Sequence, residues 1–369
     1  LSDRDQQYMG QALRLARRAR GRTSPNPLVG AVLVKGKRVV GEGYHRRAGQ
    51  PHAEVIALEK AGNRARGAEL FVNLEPCNHL GLTGPCSKAI IDAGIKRVVI
   101  GMVDPNPRVN GRGVRALKKR GIEVVTGVMG DACEDLNSAF LSYILKGRPE
   151  VTFKTAVTLD GRVAGRHGDS RWVTGDKARA YGHRLRHEHD VLMVGVGTVI
   201  ADDPQLTCRH PKHGLDPWRV VVDSRLRTPP NARVVEAIAN SPSPTLFYTT
   251  DKAAKSRIKK LRGLGAEVVV VPAEGKAVSV AAMLADLAGR GRLSVLLEGG
   301  PRLTGSFWEH GLIDRVVTFI APKLIGDPRA LPPVNGGARK MAEAMALEDL
   351  VIKRLGDDVM IAGRVAGGL

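Results

Sequence analysis

The segment His52-Ala53-Glu54, followed by Pro76-Cys77 and then by Cys86, constrains this chain more than any other feature. An imidazole and two thiols are the ligand set that Zn²⁺ takes when a fourth position stays open for water. Glu54 stands two residues from the histidine, where a carboxylate can serve as general acid and base without binding the metal. Residues i and i+2 point to nearly opposite sides of a helix. His52 and Glu54 therefore converge only at a helix's first turn, met end-on. Pro51 suits that turn, because a helix start needs no amide partner, and Pro76 predicts a second helix start ahead of Cys77.

The order H-x-E, P-C, C is the signature of zinc-dependent nucleobase deaminases. The competing reading of the same residues is a pair of buried thiols beside an unrelated helix-start histidine. At 369 residues two domains are expected. Four cysteines in this length do not make a disulfide framework. Cys133 and Cys208 are then spare thiols of a reducing, cytoplasmic compartment. A formal charge of +20 invites a nucleic-acid reading, but the basic residues are dispersed and aromatics make up 4% of the chain, too few for stacking platforms. The charge fits a basic, Arg-rich proteome and phosphorylated small-molecule substrates equally well. The longest apolar run, Val191 to Ala201, falls short of the roughly 20 residues of a membrane-spanning helix. Asp3 and Asp5 make the basic, amphipathic start a domain helix rather than a targeting segment.

Met9, Ala12, Leu13, Ala16 and Ala19 predict an opening helix that ends near Gly21. Strands follow at Val29 to Val34 and Arg38 to Gly43, then the helix opening at His52, a strand from Glu69 to Leu74, a helix from Ser87 to Ala93 and a strand from Arg97 to Val103. A helix and strand between Val114 and Thr126, and one exit helix from Asp131 to Leu145, complete an α/β layer sandwich. Lys146-Gly147-Arg148-Pro149 reads as a hinge between domains spanning 1–146 and 150–369. Beyond it, strands at Glu150 to Thr155, Asp190 to Val194, Arg219 to Asp223, Thr245 to Tyr248, Glu267 to Val271, Leu293 to Leu297 and Arg315 to Ile320 alternate with helices at Asp176 to His187, Ala253 to Leu261 and Leu303 to His310. A hairpin of Val351 to Leu355 and Val359 to Val365, around Gly356-Asp357-Asp358, closes the chain. Gly195-Val196-Gly197 lacks the third glycine of a dinucleotide fingerprint. Glu298-Gly299-Gly300-Pro301, at a strand-to-helix turn, is a better phosphate candidate, and reads equally well as a tight turn that needs glycine. His183, His187 and His189 straddle a helix end and read as a solvated face rather than a second metal site.

Ser24-Pro25-Asn26-Pro27-Leu28-Val29-Gly30, Gly43-Tyr44-His45, the His52 and Cys77–Cys86 segments and Asp104-Pro105-Asn106-Pro107 resemble, in order, the deaminase domain of the bacterial bifunctional riboflavin-biosynthesis deaminase/reductase family. Eight residues separate Cys77 from Cys86, whereas polynucleotide and nucleoside deaminases carry P-C-x-x-C. A tRNA or polynucleotide deaminase with an accessory binding domain is the rival reading, and it lacks both that spacing and a basic aromatic face. The resemblance implies a three-layer α/β/α cytidine-deaminase-like domain, and substrate contacts at Asn26, His45, Asp104 and Asn106. Leu82 departs from the family, which has a basic residue there; Arg46 or Arg47 could supply the cation instead.

Thr158-Leu159-Asp160-Gly161, Asp169-Ser170-x-Trp172, the Gly197 to Thr207 stretch, Val222-Asp223-Ser224, Glu298-Gly299-Gly300 and Ala321-Pro322-Lys323 resemble the same family's dihydrofolate-reductase-like reductase domain. The resemblance implies NADPH contacts at Val157, Trp172, Thr198, Asp202, Ser224, Gly300, Pro301, Arg302, Leu303, Thr304, Gly305 and Ser306. It implies substrate contacts at Ser170, Arg186, Leu206, Arg209 and Glu298, with Lys154 a further candidate. The expected chemistry is hydrolytic deamination of 2,5-diamino-6-(5-phosphoribosylamino)pyrimidin-4-one at Zn²⁺, then NADPH reduction of the ribosyl group to a ribityl chain. A homo-oligomer, dimer or tetramer, is expected, with neither nucleic acid nor membrane as partner.

Overall fold

Runs of Val, Ile and Leu alternate with helices in both halves of the chain, and each half builds its own sheet. The computed structural model describes residues 2–80, 84–107, 109–209, 214–337 and 340–367; Leu82 lies outside them. The chain divides into two units, Leu1–Gly147 and Arg148–Leu369. Among the described residues no helix is long and apolar enough to cross a membrane.

The first unit runs α1 (Asp3–Ala16), β1 (Gly30–Lys35), β2 (Arg38–Tyr44), α2 (Ala53–Ala61), β3 (Glu69–Leu74), α3 (Cys86–Asp92), β4 (Arg97–Met102), α4 (Arg112–Lys119), β5 (Glu123–Thr126), α5 (Gly130–Leu136) and α6 (Ser138–Lys146). The sheet order is β2-β1-β3-β4-β5. β1 is antiparallel to both neighbours, while β3, β4 and β5 run parallel. Alternating residues of β1 and β3 feed two cores: Val32, Val34 and Phe71 pack under α1, and Ala31, Leu33, Leu70 and Val72 pack under α2. This is the three-layer α/β/α arrangement expected. α2 sits very close to β2, because Cβ atoms at Gly41 and Gly43 would lie 2.2 and 2.5 Å from the carbonyl oxygens of Ala57 and Ala53. Bulkier residues there would lift the helix off the sheet.

Two expectations for this unit need correction. Pro76 starts no helix: Pro76 and Cys77 lie in irregular backbone, and α3 begins at Cys86 behind Pro85. The exit helix is broken in two at Asn137, whose φ of −107° and ψ of 17° leave the helical region. Its side chain accepts from the Leu28 amide at 2.8 Å and donates to the Leu28 carbonyl at 3.1 Å. Asn73 joins it, accepting from Gly30 N and donating to Leu28 O. The two amides clamp the segment just after Asn26.

The second unit comprises β6 (Glu150–Thr158), α7 (Asp176–Glu188), β7 (Val191–Gly195), α8 (Val196–Asp202), β8 (Trp218–Val222), α9 (Arg233–Glu236), β9 (Thr245–Thr249), α10 (Lys255–Gly263), β10 (Glu267–Val270), a small hairpin of β11 (Ala273–Glu274) and β12 (Ala277–Val278), α11 (Val280–Gly289), β13 (Ser294–Leu297), α12 (Pro301–Glu309), β14 (Arg315–Ala321), β15 (Leu347–Leu355) and β16 (Asp358–Val365). The nine-stranded sheet has the order β10-β9-β8-β7-β13-β6-β14-β16-β15. It is parallel from β10 to β14, with the closing hairpin antiparallel at one edge. Apolar cores cover both faces. The sequence pattern did not announce α8 or α11. α8 hides in the apolar run after β7, and α11 is apolar on most of its surface. β15 begins earlier than the hairpin pattern indicates, with a bulge between Glu348 and Val351.

Candidate functional site

His52 is the N-cap of α2, in extended backbone, and Glu54 lies in the helix's first turn. The end-on approach required by their spacing is the one adopted. The Cys77 loop closes on the start of α3, where the Ser87 amide donates to Cys77 O at 3.1 Å and the Cys86 amide to Cys77 Sγ at 3.4 Å. His52 Nδ1 lies 3.2 Å from Cys86 Sγ and 3.6 Å from Cys77 Sγ. All three ligand atoms fall within 4.8 Å of one another. With Zn–S near 2.3 Å and Zn–N near 2.1 Å, tetrahedral ligand pairs stand about 3.6–3.8 Å apart. The three donor atoms thus fit a zinc ion. They form the metal-competent cluster among the described residues.

Glu54 is fully buried against this trio. Burial, then the neighbouring Cys77, raises its pKa to about 7. Of the two thiols Cys77 is the more acidic, because Cys86 and His52 hydrogen-bond to it, while Cys86 is pushed up. His45 packs edge-on to His52 at 5.3 Å. Its Nδ1 lies 3.2 Å from Pro51 O and its Nε2 3.0 Å from Asn26 Nδ2. A neutral ring protonated on Nδ1 satisfies both, and burial lowers the His45 pKa accordingly. Asn26 and His45 are therefore joined to each other and to the residue before His52. Asp104 caps the Asn106 amide at 2.8 Å. Its own pKa is raised to about 6, first by burial and also by the nearby Glu75 carboxylate. Glu75 was not singled out from the sequence, although it accepts hydrogen bonds from three backbone amides.

In the second unit the candidates gather where the parallel strands end, the usual ligand edge of an open α/β sheet. Lys154 and Val157 lie on β6, Thr198 and Asp202 on α8, Ser224 just past β8, and Glu298 and Gly300 just past β13. Arg186 on α7 grips Glu298 through Nε at 3.1 Å and Nη2 at 2.7 Å, and gives Nη1 to Thr207 O. Lys154 Nζ stands 4.0 Å from the same carboxylate. Burial alone would raise the Glu298 pKa, but Arg186 and Lys154 overcome it and hold the group at about 2. His183 is pushed down to about 4, by burial first and then by Arg186 and Arg209. Ser170 Oγ donates to Asp202 at 3.1 Å. Buried Leu206 takes a positive φ of 54° beside this cluster. Trp172 is exposed and stacks on Arg179.

Gly300 is the N-cap of α12, with no side chain capping it and Pro301 in the first turn. A Cβ on Gly300 would stand 3.4 Å from Thr198 Oγ1, so a side chain there would crowd the helix start that a phosphate-bearing cofactor would use. Arg302 is exposed and Ser306 bonds back to Arg302 O. Leu303 packs into the core, Thr304 bonds back to Gly300 O, and a Cβ on Gly305 would strike Asn335 O. Gly305 faces the interior of the unit, whereas Leu303 and Thr304 pack against the Gly299–Gly300 turn. The histidine cluster is half-buried and tied to neighbouring groups. His183 accepts from Arg209 N, His187 from Leu215 N, and His189 bonds Leu185 O and Thr152 Oγ1.

Comparison with known proteins places the architecture. Residues 2–102 match the cytidine and deoxycytidylate deaminase zinc-binding region, and residues 149–361 match the RibD C-terminal domain. The riboflavin biosynthesis protein RibD of Aquifex aeolicus is 42% identical over 357 residues, 97% of each chain. The chain belongs to the RibD family. The RibD protein of Escherichia coli is 40% identical over 97% of this chain and 98% of its own. Acinetobacter baumannii RibD superposes with a TM-score of 0.86 at 37% identity, covering 98% of this chain and 99% of that one. A diaminohydroxyphosphoribosylaminopyrimidine deaminase/5-amino-6-(5-phosphoribosylamino)uracil reductase from Thermotoga maritima gives the same TM-score at 36% identity, with the same coverage. The α/β fold, a cytidine-deaminase-like domain ahead of a RibD reductase domain, is therefore as expected.

Two outcomes test these sites. Metal analysis of the purified RibD-family chain should find about one zinc per chain, lost in Cys86→Ser and retained in Glu54→Gln. The second concerns acid stability. Glu298 has an ordinary pKa of 4.5 lowered to about 2 in the fold, so its contribution is full above pH 4.5 and is lost as pH falls toward 2. Glu298→Gln should destabilise the second unit by about 3 kcal/mol at neutral pH and flatten this acid limb in unfolding measurements.

Proposed function

We propose that this chain catalyses two steps of riboflavin synthesis: hydrolytic deamination of 2,5-diamino-6-(5-phosphoribosylamino)pyrimidin-4-one, then NADPH reduction of the resulting ribosylaminouracil phosphate to its ribityl form. The observation that carries the reading is the fully buried Glu54 beside the His52, Cys77 and Cys86 donor atoms. A structural metal site has no use for a buried carboxylate there, whereas a deaminase needs one. A zinc ion held by the trio supplies Lewis-acid activation of the attacking water. The Glu54 carboxylate takes that water's proton and returns protons to the ring nitrogen and the departing amine. Its position in the first turn of α2 favours the charged form, and its burial favours the neutral one. Balanced between them, it can pass a proton either way.

In the second unit NADPH, held with its phosphates at the Gly300 start of α12, would supply hydride to the ring-opened ribose carbon. The open N-terminus of α12 supports cofactor phosphate binding. Lys154, Arg186 and Arg209 outnumber Glu298, which supports a substrate phosphate nearby. Glu298 serves this by orienting Arg186, since both of its oxygens are engaged by that guanidinium. The four cysteines form no disulfide, which supports a reducing cytoplasm.

Purified protein given the diaminopyrimidinone should release ammonia without NADPH and consume NADPH only after deamination. Glu54→Gln should slow ammonia release about 10³-fold. Zinc-loaded protein that releases no ammonia would overturn the first assignment.

The free edge of β15 supports a second copy of this chain as partner. Leu350, Val351 and Ile352 are 56%, 47% and 66% exposed there, and such an edge invites strand pairing. The sequence Glu348-Asp349-Leu350-Val351-Ile352-Lys353-Arg354 is self-complementary about Val351. Acidic residues stand at one end of this edge and basic ones at the other, so an antiparallel copy brings opposite charges together. Light scattering should report a homodimer, and Val351→Lys should shift it to monomer. A monomeric wild type at micromolar concentration would overturn this reading.

A further inference from the structure

Glu75 is 4% exposed, yet no lysine or arginine pairs with it among the described residues. Backbone amides satisfy its oxygens instead. Oε2 accepts from Gly111 N at 2.8 Å and from Asp104 N at 3.3 Å, and Oε1 accepts from Val114 N at 3.1 Å. Gly111 is the N-cap of α4 and offers no capping side chain. The cap that a helix start requires is thus supplied by a residue 36 positions earlier in the chain. The approach is close on both sides. Glu75 N donates to Met102 O at 3.0 Å, and a Cβ on Gly113 would lie 2.1 Å from Pro76 O. The start of α4 is therefore pressed onto the peptide that leads into Cys77.

The turn that carries Asp104 and Asn106 is suspended between these contacts. Asp104 holds Asn106 N, and Asn106 O accepts from Val109 N at 2.8 Å and Asn110 N at 3.0 Å. One carboxylate thus fixes this turn against the loop that contributes Cys77.

We propose that Glu75 is a positioning residue for deamination: by bonding Asp104, Gly111 and Val114, it makes the Asp104–Asn106 turn and the Cys77 loop one rigid body. The inference rests on the deaminase reading above. Glutamine at this position keeps an acceptor for one set of amides and turns an NH₂ toward another, whereas alanine releases all of them.

The test uses the full chain, whose reductase activity serves as an internal control. Glu75→Gln and Glu75→Ala should retain about one zinc per chain and reduce the deaminated intermediate within about twofold of the wild-type rate. KM for the diaminopyrimidinone should rise about 10-fold in the glutamine variant and further in alanine, with kcat falling less. Hydrogen exchange should quicken at Asp104, Gly111 and Val114 while α2 stays protected. Three results would overturn the proposal: loss of zinc, equal decline of both activities with unchanged KM, or unaltered exchange at those amides. A wild type that releases no ammonia sinks the deaminase reading itself, a result separate from any difference between variants.

Discussion

The seating of α2 on β2 is the contact on which the metal-competent end of the first unit depends. The carbonyls of Ala53 and Ala57 occupy the space that side chains at Gly43 and Gly41 would fill. A helix held this close cannot roll or slide without a backbone clash. Its first turn is thereby fixed in depth as well as direction, and His52 and Glu54 are presented from a rigid element rather than a loop. The tethers around it serve the same end: Asn73 and Asn137 hold the Leu28 peptide, and His45 links Asn26 to Pro51.

Both units join distant loops by giving carboxylates to backbone amides. Asp190 accepts from Leu293 N and Ser294 N, Asp314 from Val151 N, and Asp160 from Ile325 N and Gly326 N. Glu75 belongs to this set. Such bonds are stronger than neutral ones and strongly directional. They define loop positions where apolar packing alone would leave latitude. Arginine pairing adds to this where charge would otherwise be stranded, as between Arg148 and Asp314 or Arg97 and Asp5.

How much could be read from the sequence depends on how far apart the interacting residues lie. The two-residue spacing of His52 and Glu54 encodes its own geometry, so the helix start was legible. The strands of both sheets were legible because their apolar runs are local. The Arg186–Glu298 grip spans 112 residues, and nothing in either neighbourhood announces it. Read singly, these residues suggested two separate ligand contacts. Asn137 sits within a helical pattern, and its break arises from partners 109 residues away. Pro76 misled for the opposite reason: a helix-start residue locally, it lies in a loop that the metal-competent thiols and Glu75 shape. Glu75 carries no local signal, since its role is tertiary.

β7 passes into α8 with no residue between them, Gly195 ending the strand and capping the helix. Each residue added to a helix rotates the remainder of that helix by about 100°. One insertion at this junction would carry Thr198 away from Gly300 and turn buried Val199 out of the core. The junction is therefore closed to changes of length. Insertions and deletions that survive in this half of the chain must fall elsewhere.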